Sequence, residues 1–267
     1  MELIKSNLHT HTTLSDGEHS VEENVETAIE RGFVSLGISD HSYVEGDGDY
    51  TIGKGNEEKY VSEVRRVIKK YEGTFDLFCG AEVDYYSEID RSLYDYIIGS
   101  VHTVKIEGQH RGVDWGGEYT QGIIRDFCGG DHMELCKMYY ENVMEHAEKN
   151  KPDIMGHFDL VTKFHSFDED ERYYDVALGA LREVMKHVKR FEVNTGAVAV
   201  NIRKDPYPSK ILLAEILRLG GTVVLSADCH NRKHLGFGFE EAAKMLKEIG
   251  FTSIDRLTKQ GFVSDPL

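Results

Sequence analysis

Two histidines one residue apart, His9 and His11, follow the strand-like run Leu3-Ile4-Lys5-Ser6-Asn7-Leu8, with Asp16-Gly17 close behind. Further on come Asp40-His41, Glu82, His102, Gly156-His157 and Asp228-Cys229-His230. With the exception of Asp16, which sits in the following loop, each falls at the carboxyl end of a strand-like run. A metal ion needs several lone-pair donors converging on one point. Residues two apart in an extended chain project to the same side, so His9 and His11, and likewise Asp228 and His230, can each aim two donors together. The same alternation turns Cys229 away, and it is not counted as a ligand. Nitrogen and oxygen donors without thiolate suit zinc, iron or manganese and not a structural cysteine-type zinc site. The nine donors His9, His11, Asp16, His41, Glu82, His102, His157, Asp228 and His230 exceed what one ion uses. They call for two or three divalent ions sharing a bridging carboxylate, for which Glu82 is the natural choice. Clustered ions yield hydroxide near neutral pH and neutralise phosphoryl oxygens as charge shifts, so the chemistry indicated is hydrolysis.

These residues must be positioned by strands. Runs at Leu3–Leu8, Val34–Ser39, Phe75–Val83, Tyr94–Val101, Ile154–Gly156, Phe191–Asn194 and Thr222–Ser226 read as strands, several of them continuously apolar, as in sheets buried on both faces. Amphipathic stretches lie between them. Ser20-Val21-Glu22-Glu23 reads as a capping box that opens a helix ending near Arg31-Gly32. Helices are expected over Glu57–Tyr71, Asp131–Lys149, Glu171–Lys189, from a Ser209 cap to Gly220-Gly221, and over Phe239–Ile249. Repeated βα units argue for parallel strands with right-handed crossovers. The expected fold is α/β, a distorted (β/α)7 barrel, with an open doubly wound sheet as the alternative. Functional groups collect at the carboxyl ends of such strands. No linker, repeat or low-complexity segment divides residues 1–267, so a single domain is expected.

Two connections are unusual. Ser42 to Gly55 is polar and glycine-rich, and Thr103 to Gly130 reads as a long irregular loop centred on Trp115. Loops this long often cover a site. The other histidines, His19, His110, His132, His146, His165, His187 and His234, lie away from strand ends and read as surface or helix-face residues, with His165 and His234 nearest the barrel mouth.

The chain has 267 residues and a net charge of −16. That balance argues against nucleic-acid and anionic-lipid partners, which need Lys and Arg facing phosphates. None of Cys79, Cys128, Cys136 and Cys229 forms a CxxC motif, and a chain this long needs no disulfide. The first residues lack the pattern of a secretory signal, and no run approaches the roughly 18 apolar residues of a membrane span. A cytoplasmic address is expected. No heptad or apolar stripe calls for an oligomer.

At His9-Thr10-His11 with Asp16-Gly17, Ser39-Asp40-His41, Glu82, Ser100-Val101-His102, Gly156-His157 and Ser226-Ala227-Asp228-Cys229-His230, the chain resembles the PHP (polymerase and histidinol phosphatase) superfamily. Its length and the tail Leu235-Gly236-Phe237-Gly238-Phe239 look most like the stand-alone histidinol-phosphate phosphatases. The resemblance implies a (β/α)7 barrel with three metals: His9, His11, Glu82 and Asp228 on the first, Glu82, His102 and His157 on the second, and Asp16, His41 and His230 on the third. It implies hydrolysis of a small phosphate monoester, L-histidinol phosphate, by a hydroxide bridging the first two ions. Asp228 would orient that hydroxide or take its proton, Glu82 would bridge, and His230 or His41 would lie near the leaving alkoxide. Arg203, Lys163 and Ser42 are the candidate phosphate contacts. Glu118 or Asp114 would face the substrate ammonium, and Tyr119 or Trp115 its imidazole. The alternatives are a relative acting on nucleotides or oligonucleotide ends, a metal-binding domain without catalysis, and an amidohydrolase-like barrel cleaving C–N bonds. The extra pair Asp16 and His41 favours phosphoester chemistry over the last.

Overall fold

Apolar runs become strands here because both their faces are covered. In the computed structural model, which describes residues 3–46 and 50–267, the chain begins β1 (Ser6–Asn7), α1 (Val21–Glu30), β2 (Ser35–Ile38), α2 (Glu57–Lys70), β3 (Asp76–Asp84) and β4 (Tyr96–Ser100). Next come β5 (Thr103–Ile106), β6 (Gln109–Gly112), α3 (Gly117–Phe127) and α4 (His132–Asn150). The chain continues through β7 (Ile154–Met155), α5 (Glu171–Val184), β8 (Arg190–Asn194), α6 (Gly196–Ala199), α7 (Lys210–Arg218), β9 (Thr222–Ser226) and α8 (Phe239–Ile249). It finishes with β10 (Ser253–Thr258) and β11 (Gly261–Pro266).

All seven expected strands form, in one parallel sheet ordered β1-β2-β3-β4-β7-β8-β9. Its two edges meet just past β1 and β9, where Thr10 bridges Cys229 and His11 N–H donates to the Cys229 carbonyl at 3.0 Å. The result is a nearly closed seven-stranded barrel, and the open-sheet alternative is set aside. Side chains of Leu8, Phe78, Tyr96, Ile98, Ile154 and Val224 fill its interior. Tyr96 fits because Gly80 faces it: a Cβ there would come within 2.3 Å of the ring. Burying a large apolar side chain contributes roughly 1.5–3 kcal/mol.

The helices follow their local signals. At α1, Ser20 Oγ accepts from Glu23 N at 3.3 Å and Glu23 Oε2 accepts from Ser20 N at 2.9 Å, the reciprocal pair of a capping box. Asp131 caps α4 through Met133 N at 3.1 Å. Helix α5 stops at Val184, short of the expected Lys189, because the chain tightens into turns at Lys186 and His187. Ser209 precedes α7, but its hydroxyl makes no cap; Asp159 Oδ2 instead accepts Ser209 N–H at 2.9 Å.

Two regions differ from the expectation. The segment 103–130 is not an irregular loop. It folds as the β5–β6 hairpin, turning through Glu107 and Gly108 with φ of 54° and 77°, and then as α3. The alternation Val104, Ile106 and the Glu107-Gly108 pair are a hairpin signal. The C-terminal residues form the antiparallel β10–β11 hairpin, whose Leu257 joins the barrel-interior cluster. His146 lies on the inward face of α4, fully buried, with Nε2 at 2.9 Å from the Val83 carbonyl.

Candidate metal centre

The backbone pairing that closes the barrel also aims the first two imidazoles. Cys229 N–H donates to the His9 carbonyl and His11 N–H to the Cys229 carbonyl, at 3.2 and 3.0 Å. His9 and His11 therefore project to one side, with ring centroids 5.1 Å apart. Asp16 arrives on a turn held by Gly17 N–H on the Thr12 carbonyl at 2.9 Å and by Asp40, whose Oδ1 accepts Thr12 N–H at 2.7 Å. Asp40 thus braces the turn.

Glu82 stands at the centre and is 1 % exposed. Its Oε2 lies 3.1 Å from His9 Nε2, 3.4 Å from His11 Nε2 and 2.9 Å from His41 Nδ1. Its Oε1 lies 2.9 Å from His157 Nε2 and 3.3 Å from His102 Nε2. Asp228 Oδ1 is 3.2 Å from His11 Nε2 and 3.6 Å from both His9 Nε2 and His230 Nδ1. Asp16 Oδ2 is 3.2 Å from His230 Nε2 and 3.7 Å from His41 Nε2. All nine expected donors are thus brought together.

Asp228 reaches its position in an unexpected way. Its φ of 46° lies in the left-handed region, which costs about 1–2 kcal/mol for a residue with a Cβ, so the segment is not extended as simple alternation requires. Cys229 nonetheless points away and donates its thiol to the Asn231 carbonyl at 3.0 Å.

The donors fit divalent ions. Among the described residues, three groups place one donor atom each within 4.8 Å of one another: His11, Asp16, His41 and His230; His9, His11 and Asp228; and His41, Glu82 and His102. His9 Nε2, both His11 ring nitrogens and Glu82 Oε2 are buried with no hydrogen-bond partner. Buried polar atoms are ordinarily satisfied, and cations at the common focus would take up His9 Nε2, one ring nitrogen of His11 and Glu82 Oε2. The charges agree. Burial works against a charged His9, yet Glu82, Glu192 and Asp228 raise its pKa well above the ordinary value. Burial also opposes charge on Glu82 and Asp228, but the surrounding histidines hold both well below the usual carboxylate range. His11 is pushed down to about 3 by burial and by its neighbours His230 and His41.

A further set of residues, not singled out in the sequence, orients these ligands. Glu192 Oε2 lies 2.8 Å from His9 Nδ1, and its Oε1 accepts from His157 N at 2.6 Å and Asn194 Nδ2 at 2.8 Å. Asn194 Nδ2 also reaches Asp228 Oδ2 at 3.1 Å. Asp84 Oδ2 lies 3.3 Å from His102 Nδ1. A carboxylate on the far ring nitrogen fixes the tautomer and leaves the other nitrogen's lone pair facing the ion. The signal was available: Glu192 and Asn194, like Glu82 and Asp84, are polar residues two apart at a strand end.

Above the cluster opens a cavity of about 310 Å³, lined by ligand side chains together with Tyr50, Asp114, Trp115, Leu160 and Lys163. Lys163 Nζ lies 3.0 Å from Asp114 Oδ2. Tyr50 stands edge-on to His41 at 4.9 Å; residues 47–49 of its loop lie outside the described residues. The remaining candidates sit elsewhere. Arg203 is buried, with Nη1 donating to the Thr162 carbonyl at 3.0 Å and hydroxyl at 2.6 Å, and does not line this cavity. Ser42 is buried too, sharing a hydrogen bond with Ser87 Oγ at 2.6 Å and accepting Asp84 N–H at 3.3 Å. Glu118 is exposed on α3, and Tyr119 packs on Trp115 at 5.2 Å; neither lines the cavity, whereas Asp114 and Trp115 do.

Among the described residues no helix is long and apolar enough to cross a membrane. The PHP domain family matches residues 7–196. A Deinococcus radiodurans relative named "Probable histidinol-phosphatase" is 27 % identical, over 93 % of this chain and 94 % of its own. One of the same name from Schizosaccharomyces pombe is 25 % identical over 96 % and 90 %. A Listeria monocytogenes structure assigned as a histidinol phosphatase superposes with a TM-score of 0.77 at 25 % identity, covering 89 % of this chain and 99 % of that one. A Lactococcus lactis histidinol phosphate phosphatase, solved with zinc, L-histidinol and phosphate, has the same fold at TM-score 0.72 and 19 % identity, covering 98 % of this chain and 100 % of that one.

Proposed function

The chain belongs to the PHP domain family, and on that premise we propose that it is a metal-dependent phosphate monoester hydrolase whose substrate is L-histidinol phosphate. One observation carries the reading: nine convergent donors, five of whose side-chain atoms are buried without a partner, lie beneath a cavity that also presents a lysine. In this proposal His9, His11, Glu82 and Asp228 hold one ion, Glu82, His102 and His157 a second, and Asp16, His41 and His230 a third. His11 and His41 each fall in two of the donor groups, and the one ring-nitrogen lone pair of a neutral imidazole assigns each to a single ion. Divalent ions so placed lower the pKa of water and neutralise phosphate oxygens.

The rest is done by the chain's own groups. Lys163 Nζ, steered by Asp114, binds a phosphate oxygen by a charge-assisted hydrogen bond. Asp228, oriented by Asn194 on Oδ2, would hold its ion through Oδ1 and orient the attacking water there. His230, with 39 % of its side chain exposed, stands where the leaving alkoxide departs. Asp114 faces the substrate ammonium and Trp115 walls the mouth. Names borne by relatives that align along almost the whole chain support the substrate. The net charge of −16 disfavours a polynucleotide. Residues 1–267 act as a single unit, with the C-terminal hairpin sharing the interior core. The proposal places the protein in the cytoplasm, in histidine biosynthesis, in keeping with four unpaired cysteines.

The test is phosphate release from L-histidinol phosphate beside a panel of nucleotides, with metal content measured on the same sample. Chelation should abolish release and zinc or manganese should restore it. Full activity in chelated protein refutes the metal role, and preference for a nucleotide refutes the substrate.

A further inference from the structure

The run Leu235-Gly236-Phe237-Gly238-Phe239 supplies no metal donor, yet it displays its middle residue in a way that local structure does not require. Leu235 and Phe239 are buried, and the Phe239 ring packs on Phe33 at 6.1 Å. Gly236 and Gly238 both take the left-handed conformation, with φ of 74° and 72°. Phe237 N–H donates to the His234 carbonyl at 2.9 Å and Phe239 N–H to the Gly236 carbonyl at 3.3 Å, so the turn is fixed. It leaves the Phe237 ring 46 % exposed between two buried neighbours.

That ring lines a groove of about 440 Å³, larger than the cavity over the metal centre and sharing no lining residue with it. Val198, Ala242 and Met245 add apolar surface. Three charged side chains also line the groove. Asp205 is engaged by Lys210 at 3.7 Å. Lys204, between α6 and α7, and Glu241, in the first turn of α8, have no side-chain ion-pair or hydrogen-bond partner among the described residues. They do not pair with each other either. The groove therefore offers one free positive and one free negative charge beside an exposed ring. An apolar hollow of this size with a few placed polar groups is the usual form of a small-molecule site.

We propose that this groove binds a free α-amino acid with a flat aromatic side chain. Lys204 takes the carboxylate, Glu241 the ammonium, and the ring lies against Phe237 and Met245. The charges select this class. A simple anion or cation would satisfy one of the two and be repelled by the other, and a neutral apolar molecule would desolvate both without pairing either. A zwitterion answers both at once. Phe237 and the Met245 thioether favour a ring through offset stacking and sulfur–aromatic contact. Such a site stands apart from the metal centre and does not depend on which phosphate ester is hydrolysed there.

The test is calorimetric titration of the metal-loaded protein with L-phenylalanine, which should show saturable one-to-one binding. 2-Phenylethylamine lacks the carboxylate and 3-phenylpropanoate lacks the ammonium, and each should bind about five-fold more weakly. Lys204→Met should weaken L-phenylalanine about five-fold and bind 2-phenylethylamine no more weakly than the wild type does. Glu241→Gln should weaken L-phenylalanine to a similar extent and bind 3-phenylpropanoate no more weakly. Both side chains are exposed, so these variants keep the fold. Phe237→Ser should weaken all three compounds. Absence of saturable binding, equal affinity for the three compounds, or wild-type affinity for L-phenylalanine in the variants overturns the proposal.

Discussion

Glu192 offers the sharpest test of how the centre is held together. Three donors converge on its two oxygens: His9 Nδ1 on one, the His157 amide and the Asn194 side chain on the other. Glu192→Gln keeps the shape but turns one acceptor into an NH2 donor. If that NH2 faces His9, it opposes the N–H that the tautomer requires; if flipped, it opposes two N–H groups. Neither orientation satisfies the site, and a buried donor left against a donor costs about 1–3 kcal/mol. The strain falls on His9, whose Nε2 would no longer be held toward the ions, and on His157. Losing such a supporting carboxylate lowers metal affinity roughly 10–100-fold, or about 1.4–2.7 kcal/mol. The assay is competition for zinc against a chelator of known affinity, with unfolding monitored in the chelated state to show that the barrel persists. Saturating metal should recover part of the phosphate release. Zinc affinity equal to that of the wild type would refute the reasoning, because it would mean that the His9 and His157 positions do not depend on the carboxylate.

Other outcomes follow from the same geometry. Lys163→Met removes a charge-assisted contact of about 1.5–3 kcal/mol, so kcat/KM should fall roughly ten- to hundred-fold with metal content unchanged, and a change under about two-fold removes Lys163 from phosphate binding. A Cβ at Gly112 would lie 2.2 Å from the Trp115 ring, so Gly112→Ala should displace that ring from the mouth, shift the emission of the chain's one tryptophan and raise KM with little change in kcat; unchanged emission contradicts the packing. In metal-free protein the pKa of His230 is pushed up to about 9 from 6.5, against burial, by Asp16 and Asp228, and His9 and His102 are raised as well. The His230 contribution is complete below pH 6.5 and is lost as pH rises through about 9. Melting of chelated protein should therefore decline over that window, whereas metal-loaded protein, whose ions replace the protons, should not, and parallel curves would reject the assignment. Glu118→Gln, on the exposed face of α3, should leave KM for histidinol phosphate unchanged, and a rise would bring that helix back into the substrate site.

Ligand positions were readable because strand ends in a parallel barrel share one rim, and an imidazole or carboxylate closing an apolar run has few other uses. The seven strands and the cap of α1 were readable for a similar reason, since each depends on residues close in sequence. The hairpin at 103–112 was hidden by its place inside a long polar segment, although its turn residues were in view. Arg203 was ambiguous because a guanidinium serves a phosphate or a carbonyl equally well, and only the approach of the loop at Thr162 decided between them. The hydroxyl of Ser42 was claimed in the same way by Ser87, 45 residues away.

By itself the order of residues determined which groups can meet at the barrel rim, what ions they suit and that seven βα units carry them. Tertiary structure alone decided which carboxylate backs each imidazole, that Asp228 turns through a left-handed conformation, and which of several plausible side chains face the cavity. The division has a physical cause: periodicity and capping act over a few residues, whereas a hydrogen-bond partner or an empty space is a property of segments that only folding brings side by side.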